Sequence, residues 1–431
     1  MLGAHGGLGG VLSQQIAWNG VHALLSTAPV DARSAQATIG AARAALAADI
    51  RVERAGADRL AALADAWDDL AQRADAANAF MHPTLLREAI AAYPDRRITA
   101  LLAWQHSTGA KPRLAGLWAF AVGRAPQSVL PLRVLSAPPA QNAYLAAPVI
   151  DRDCLDAVCD AFLAYIAADS SLPKIVTLDA MGADTATFAA LMRVVAARRG
   201  ALHVFGRSQR PMLASPLDGK AYLEQAMSSS SRKKLRQHRR RLGEKGVLQS
   251  TIVHAADAVR GAFEDFLALE ASGWKGREGT ALLGSAADAQ YARGMIGALA
   301  ARGEAAIHSL TLDGRPVSMQ VVLRSGRTAF TWKTAYDEAL QDFSPGTLLL
   351  EDYTASLLAD PAIDRTDSCA FDDTGYMAAW QERAALAQLW IDARAGGSAA
   401  FTLFARLQSG YLALRARAKS IYHQRLRRNG R

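Results

Sequence analysis

The chain has 431 residues, a 51% hydrophobic composition and a formal net charge of +9. It is long enough for two domains with a large core, and no run of about 18 apolar residues reads as a membrane span. Three cysteines, Cys154, Cys159 and Cys369, make neither an even disulfide framework nor a metal-type cluster, so no bound metal is expected and a reducing, cytoplasmic setting is the natural one.

The charge is placed unevenly. Arg394 to Arg431 holds nine of the 49 basic residues and no acid, which leaves residues 1–393 formally neutral. A general nucleic-acid-binding body is therefore not indicated. Residues 1–47 are rich in Gly, Ala and Ser, lack a basic stretch ahead of an apolar core, and read as a flexible extension rather than a signal peptide.

From residue 48 the patterning is regular. A strand over 49–56 precedes a helical pattern over 57–75 and a second helix in "FMHPTLLREAIAAYP". The hairpin "ITALLAWQ"/"LAGLWAFAVGR", the loop "SAPPAQNAYLAAP", a helix around "CLDAVCDAFLAYIAA", the strand "KIVTLDA", a helix and the strand "ALHVFGRS" follow. After Pro211 the order repeats, with helices at "GKAYLEQAM" and 231–244, a strand at "LQSTIVHA" and a helix at "ADAVRGAFEDFLALEAS". The polar loop "GWKGREGTALLG", a helix over 286–301 and a three-strand meander turning at Asp313-Gly314 come next. "DFSPGTLLLEDY" opens a helix, and "DRTDSCAFDD", "GYMAAWQER" and "AALAQLWIDA" read as strand, short helix and strand. The repeated order predicts an α+β protein with an internal duplication, divided at 48–210 and 211–395, with a basic helix over 396–431.

"SSSSRKKLRQHRRRLGEKG", "FLALEASGWKGREGTAL", "AYDEALQDFSPGTLLLED" and "FDDTGYMAAW", in this order, resemble the GNAT acyltransferase superfamily in tandem form. The likeness spans roughly residues 49–395. It resembles the Fem-type aminoacyltransferases and, more closely, the CelD-like acetyltransferases of cellulose and exopolysaccharide biosynthesis. Each domain is then expected to be a mixed, mostly antiparallel sheet flanked by helices. The resemblance implies acetyl-CoA as co-substrate, its diphosphate held on backbone N–H groups between the fourth strand and the next helix, a place filled here by Phe343, Ser344, Pro345, Gly346, Thr347 and Leu348, with a strand N–H at Ala335 or Tyr336 facing the developing oxyanion. Tyr376 is followed by Met377 where such proteins commonly carry Tyr-Lys, so no lysine role is carried over.

The residues supply a physical reason of their own. Ser344 fits an N-cap and Pro345 a first helical residue, while Gly346 lets an anion approach a helix start whose N–H groups are unpaired. An ordinary cap explains the same three residues. The first-half loop lacks glycine and its prolines lack donors, so only the second half is expected to hold the donor. A thioester needs only a positioned nucleophile, so Tyr336 is the candidate proton donor and Asp337 or Asp372 the candidate base, with core packing and turn capping as the structural alternatives. Trp274 offers a flat wall, and Glu270 and Lys275 orienting charges, for the acceptor.

The basic helix offers Arg232, Lys233 and Arg236 to an anionic acceptor, or to aminoacyl-tRNA in the Fem-type alternative. The tail carries an apolar stripe, Phe404, Leu407, Tyr411, Leu414, Ala418 and Ile421, with basic residues largely off it. That suits peripheral contact with an anionic membrane, or docking on the body. The expected activity is transfer of acetyl to an amine or hydroxyl of a polysaccharide or cell-envelope precursor. Aminoacyl transfer and a non-catalytic scaffold are the alternatives.

Overall fold

The computed structural model describes residues 49–125, 128, 131–138, 143–370, 373 and 375–429, with backbone only at 416 and 419–429. The expected extension over 1–47, the middle of the first-half loop and Asp372 lie outside the described residues.

The first half runs β1 (Asp49–Ala55), α1 (Ala57–Ala61), α2 (Ala64–Arg73), α3 (Pro83–Ala92), β2 (Arg97–His106), β3 (Arg113–Arg124), β4 (Arg133–Ser136), β5 (Val149–Ile150), α4 (Leu155–Ala168), β6 (Ile175–Gly182), α5 (Ala186–Ala197) and β7 (Ala201–Leu213). The second runs α6 (Gly219–Ala226), α7 (Ser229–Gly243), β8 (Leu248–Val253), α8 (Ala256–Ser272), α9 (Trp274–Arg277), α10 (Ala286–Ala301), β9 (Ala305–Leu312), β10 (Arg315–Ser325), β11 (Thr328–Tyr336), α11 (Pro345–Ala359), β12 (Arg365–Asp367), β13 (Glu382–Asp392) and α12 (Ala399–Asn429).

All strands except β5 join one mixed, mostly antiparallel sheet in the order β1-β2-β3-β4-β6-β13-β7-β12-β11-β10-β9-β8. The order is symmetric about its centre. β1 to β4 on one side match β8 to β11 on the other, and the parallel β4/β6 contact matches β11/β12. The last strand of each half stands beside the other half: β13 pairs with β6, and β7 pairs with β12. These exchanged strands also pair with each other along almost their whole length, from Glu382↔Met212 to Asp392↔Ala201. β7 runs unbroken through positions 210 and 211.

Apolar layers cover the sheet. Trp67, Trp118, Phe120 and Phe162 centre the first-half core. Phe80 and Tyr93 of that half pack with Phe263, Phe266, Met295, Phe330 and Trp332 of the second. On the opposite face of the second half, Leu235 and Leu242 of α7 meet Leu348, Leu349 and Tyr353 of α11 and Trp380. The seven-residue Leu235/Leu242 spacing is the thin apolar seam that fastens an otherwise charged helix.

The pattern over 57–75 is interrupted by a turn at Ala62–Leu63 between α1 and α2, although Leu60, Leu63, Trp67 and Leu70 keep helical spacing and are all buried. "DRTDSCAFDD" forms only the three-residue β12. Cys369 just beyond it has φ +52°, a left-handed backbone that turns the chain out of the sheet. "GYMAAWQER" yields a 3₁₀ turn over Tyr376–Ala379, and the polar loop after α8 contains the short α9. No helix among the described residues is long and apolar enough to cross a membrane.

Candidate functional site

β11 leaves the sheet through a 3₁₀ turn, Glu338–Phe343, and enters α11 at Pro345. Ser344 stands at the N-cap with φ +52°, and its side chain makes no cap bond, contrary to the expected capping role. The left-handed turn reverses the chain and directs the Ser344 carbonyl into the helix, where it accepts from Thr347 N at 2.9 Å and Leu348 N at 3.1 Å. Two of the first-turn donors are thereby spent and Pro345 has none. Gly346 remains, and a Cβ built on it meets nothing within 4 Å, so the corner is open on that side.

α7 stands beside this corner. Ser228 caps it by accepting from Ser231 N, and Arg239 locks it to α11 by donating to Leu348 O, Glu351 and Asp352 at 2.7–3.2 Å. Its C-terminal end then sets the Arg241 guanidinium 5.5 Å and the Lys245 ammonium 5.4 Å from the Phe343 ring. Neither cation is in an ion pair among the described residues. A helix N-terminus, an open glycine and two unpaired cations suit an anion such as a diphosphate, so the corner fits the carrier portion of an acyl-CoA.

Next to the corner the sheet splays. β11 pairs with β12 only at Thr328–Phe330, so Thr331–Tyr336 continues past the end of its parallel neighbour. A β-bulge at Val321/Val322 against Thr331–Lys333 marks the same point on the other side. Glu270, 2% exposed, lies behind this stretch and accepts from Lys275 Nζ at 3.4 Å, Lys333 Nζ at 3.3 Å and Leu282 N at 2.9 Å. Lys275 also donates to Thr334 O at 2.6 Å. Burial holds the Lys275 pKa below the ordinary lysine value, against the opposing pull of Glu270.

Tyr336 ends β11 opposite Ser318 and is half-buried. Tyr376 bonds to Thr334 and Tyr353 and lies close enough to Tyr336 for charge on one to be felt by the other; burial raises its pKa. Ala335 is buried and pairs with Met319. Asp337 caps the 3₁₀ turn by accepting from Ala339 N at 2.9 Å, the turn-capping alternative. Trp274 is 42% exposed, and its backbone N–H donates to Glu338, which Arg277 also holds at 2.6 Å. The structure thus brings Ala335, Tyr336, Glu270, Lys275 and the Phe343–Leu348 corner into one region. Lys233 and Arg236 are exposed on α7, and Arg232 is tied to Glu224 at 3.5 Å.

Sequence reasoning missed a second buried group at the splay. Arg210 of β7, 1% exposed, pairs with Asp367 and donates to Tyr144 O at 2.9 Å. Asp367 accepts from Cys369 N at 2.8 Å. Tyr144, from the first-half loop, is held neutral by burial and by the proximity of Cys369 and Glu270. An arginine and an aspartate 157 positions apart give no local signal. A cavity of about 1120 Å³ opens at the other end of β11, around Gly326 and Arg327. Its Arg302–Asp68 and Arg327–Asp364 pairs already satisfy one another, so it is not assigned to the chemistry.

A splayed sheet beside an open helix N-terminus is the architecture of a GNAT-type acyltransferase domain, and residues 229–376 match the family described as an acetyltransferase (GNAT) domain. Three solved structures are similar over most of the chain. A FemX crystal structure aligns at TM-score 0.50 and 9% identity, covering 78% of this chain and 96% of that one. The C-terminal DUF2156 domain of a putative lysylphosphatidylglycerol synthetase from Agrobacterium fabrum aligns at 0.48 and 12%, covering 82% and 97%. A tandem GNAT protein from the clavulanic acid biosynthesis pathway aligns at 0.39 and 12%, covering 80% and 98%. No curated protein matches the sequence. At these identities FemX carries an argument about fold alone: both halves of this chain share its architecture.

Proposed function

We propose that the protein is an acyltransferase that takes acetyl from acetyl-CoA to an amine or hydroxyl of a polysaccharide or cell-envelope precursor. The observation that carries the donor half of this reading is the open Gly346 corner flanked by Arg241 and Lys245. When bound, the thioester supplies an activated acyl group and the chain need not become acylated. The Gly346 N–H, with the Arg241 and Lys245 cations beside it, holds the carrier's diphosphate, since the Ser344, Thr347 and Leu348 N–H groups are already bonded within the turn. An N–H of β11 at Ala335 or Tyr336 faces the oxygen on which charge develops. Tyr336 or Tyr376 supplies a proton to the departing thiolate, burial raising the Tyr376 pKa above the ordinary tyrosine value. With Asp337 engaged in its turn, Glu270 and Lys275 are the better-placed groups to orient the nucleophile and relay its proton. Tyr144 and Trp274 border the acceptor side, and the first half contributes structure and part of that cleft but no donor site.

The same α7 surface favours one alternative, because Lys233, Lys234 and Arg236 also stand without carboxylate partners, as aminoacyl-tRNA would require. Titration calorimetry with coenzyme A, dephospho-coenzyme A and aminoacyl-tRNA separates the readings. Coenzyme A and dephospho-coenzyme A, which share the diphosphate, are both expected to bind, and Arg241→Ala/Lys245→Ala to weaken both. Salt-sensitive tRNA binding without coenzyme A binding would replace the reading with aminoacyl transfer. Binding of neither would leave a scaffold.

A further inference from the structure

Seven large hydrophobic side chains are exposed among the described residues, and three of them lie on α12: Leu403 (55%), Leu407 (48%) and Leu414 (67%). At about 100° per residue, Leu414 and Leu407 stand roughly 20° and 40° round the helix from Leu403, so the three form one line. The root of the helix is fixed by a different face. Phe401 and Ala405 pack with Val134, Ile175 and Trp390, Gln408 is buried, and His203 bonds to Ser409 at 2.8 Å. Those docked positions centre roughly 150° or more from the leucines on the same geometry. The expected single stripe is therefore split, with Phe404 partly packed on the body and Leu407 and Leu414 turned to solvent.

We propose that α12 attaches the protein to an anionic phospholipid surface, Leu403, Leu407 and Leu414 entering the interface and Arg406 and Arg417 meeting lipid phosphates. Charge complementarity selects this occupant. Residues 394–431 hold nine Lys/Arg and no acid, whereas the rest of the chain is formally neutral. Arg406 and Arg417 are exposed and lie within about 60° of the leucine line. A protein groove would have to desolvate cations so close to its apolar centre, whereas a bilayer presents phosphates at the depth that leucine-flanking guanidinium groups reach. The inference does not depend on the acyl donor.

The test is co-sedimentation of the full chain with vesicles of phosphatidylcholine alone or with about one third phosphatidylglycerol. Binding is expected only to the anionic vesicles and is expected to weaken in high salt. Leu407→Glu/Leu414→Glu should weaken it about ten-fold or more, and Arg406→Gln/Arg417→Gln about five-fold for each cation removed. Thermal melting should stay unchanged in both variants, because every substituted side chain is exposed. Equal partition to both vesicle types, or binding indifferent to both double variants, overturns the proposal. So does a loss of dimer mass in the leucine variant, which would assign the line to a second copy of the chain.

Discussion

Replacing Gly346 with alanine adds one methyl group to the proposed diphosphate corner. The backbone there is ordinary first-turn helix with no left-handed φ, and the added Cβ meets nothing within 4 Å. In the free protein alanine should therefore stabilise, by about 0.5–1 kcal/mol, because it restricts the unfolded chain and prefers the helix. With about 2 cal/mol/K of unfolding entropy per residue, a chain of this size carries roughly 0.8 kcal/mol/K, so the melting point should rise about 1 °C. Coenzyme A should report the opposite. A methyl group where the phosphate approaches, and the longer distance to the Gly346 N–H, should weaken binding about ten-fold or more. The assay is a melting curve of both proteins with and without coenzyme A, the ligand-induced shift giving affinity by mass action. Alanine that lowers the melting point, or that binds coenzyme A as the wild type does, would refute the idea that this glycine is kept for a ligand's approach.

Two further outcomes probe the interior. Glu270→Ala strands two ammonium groups behind the splay and should cost about 3–5 kcal/mol, part of it recovered in Glu270→Ala/Lys333→Met; urea unfolding measures both, and a loss below about 1 kcal/mol would show that water reaches the group. His308 of β9 is 4% exposed, and burial, reinforced by His254, lowers its pKa from 6.5 to about 4. The unfolded chain then binds the extra proton between these values, so stability present above pH 6.5 falls as pH drops, by about 2 kcal/mol at pH 5. His308→Asn should flatten that part of the urea-unfolding pH profile, and an unchanged slope would contradict it.

The meander and its flanking helices were legible because their signals are local. β9 to β11 are apolar runs separated by turn residues, and Asp313-Gly314 takes positive φ at both positions as a tight hairpin requires. The sequence locates Ser344 at the helix start but not its role there. The Ser-Pro pattern locates a helix start but carries no information about a left-handed backbone, which arises from the need to turn sharply out of the 3₁₀ segment. The strand exchange was not readable. "AALAQLWIDA" shows only that β13 is apolar; which strands flank it is decided by the partners left open on β6 and β7. The polar "SQR" of β7 likewise reads as the end of a strand, whereas Arg210 continues it and is neutralised by Asp367 from the other half.

The exchange bears directly on the site. β12 forms one wall of the splay, is three residues long, and is held by β11 on one side and by Met212 and Leu213 of β7 on the other. A strand so short has little cohesion of its own, so the gap between β11 and β12 is set by where β7 stands, and β7 belongs to the first half. Arg210 strengthens that dependence by binding Asp367 at the end of β12 and the Tyr144 carbonyl together. The first half is thus a structural determinant of the splay even though its own loop offers an anion little. Duplication followed by exchange of the last strands accounts for how the proposed donor corner would rest on two halves: one keeps the glycine and its cations, and the other holds the wall of the splay.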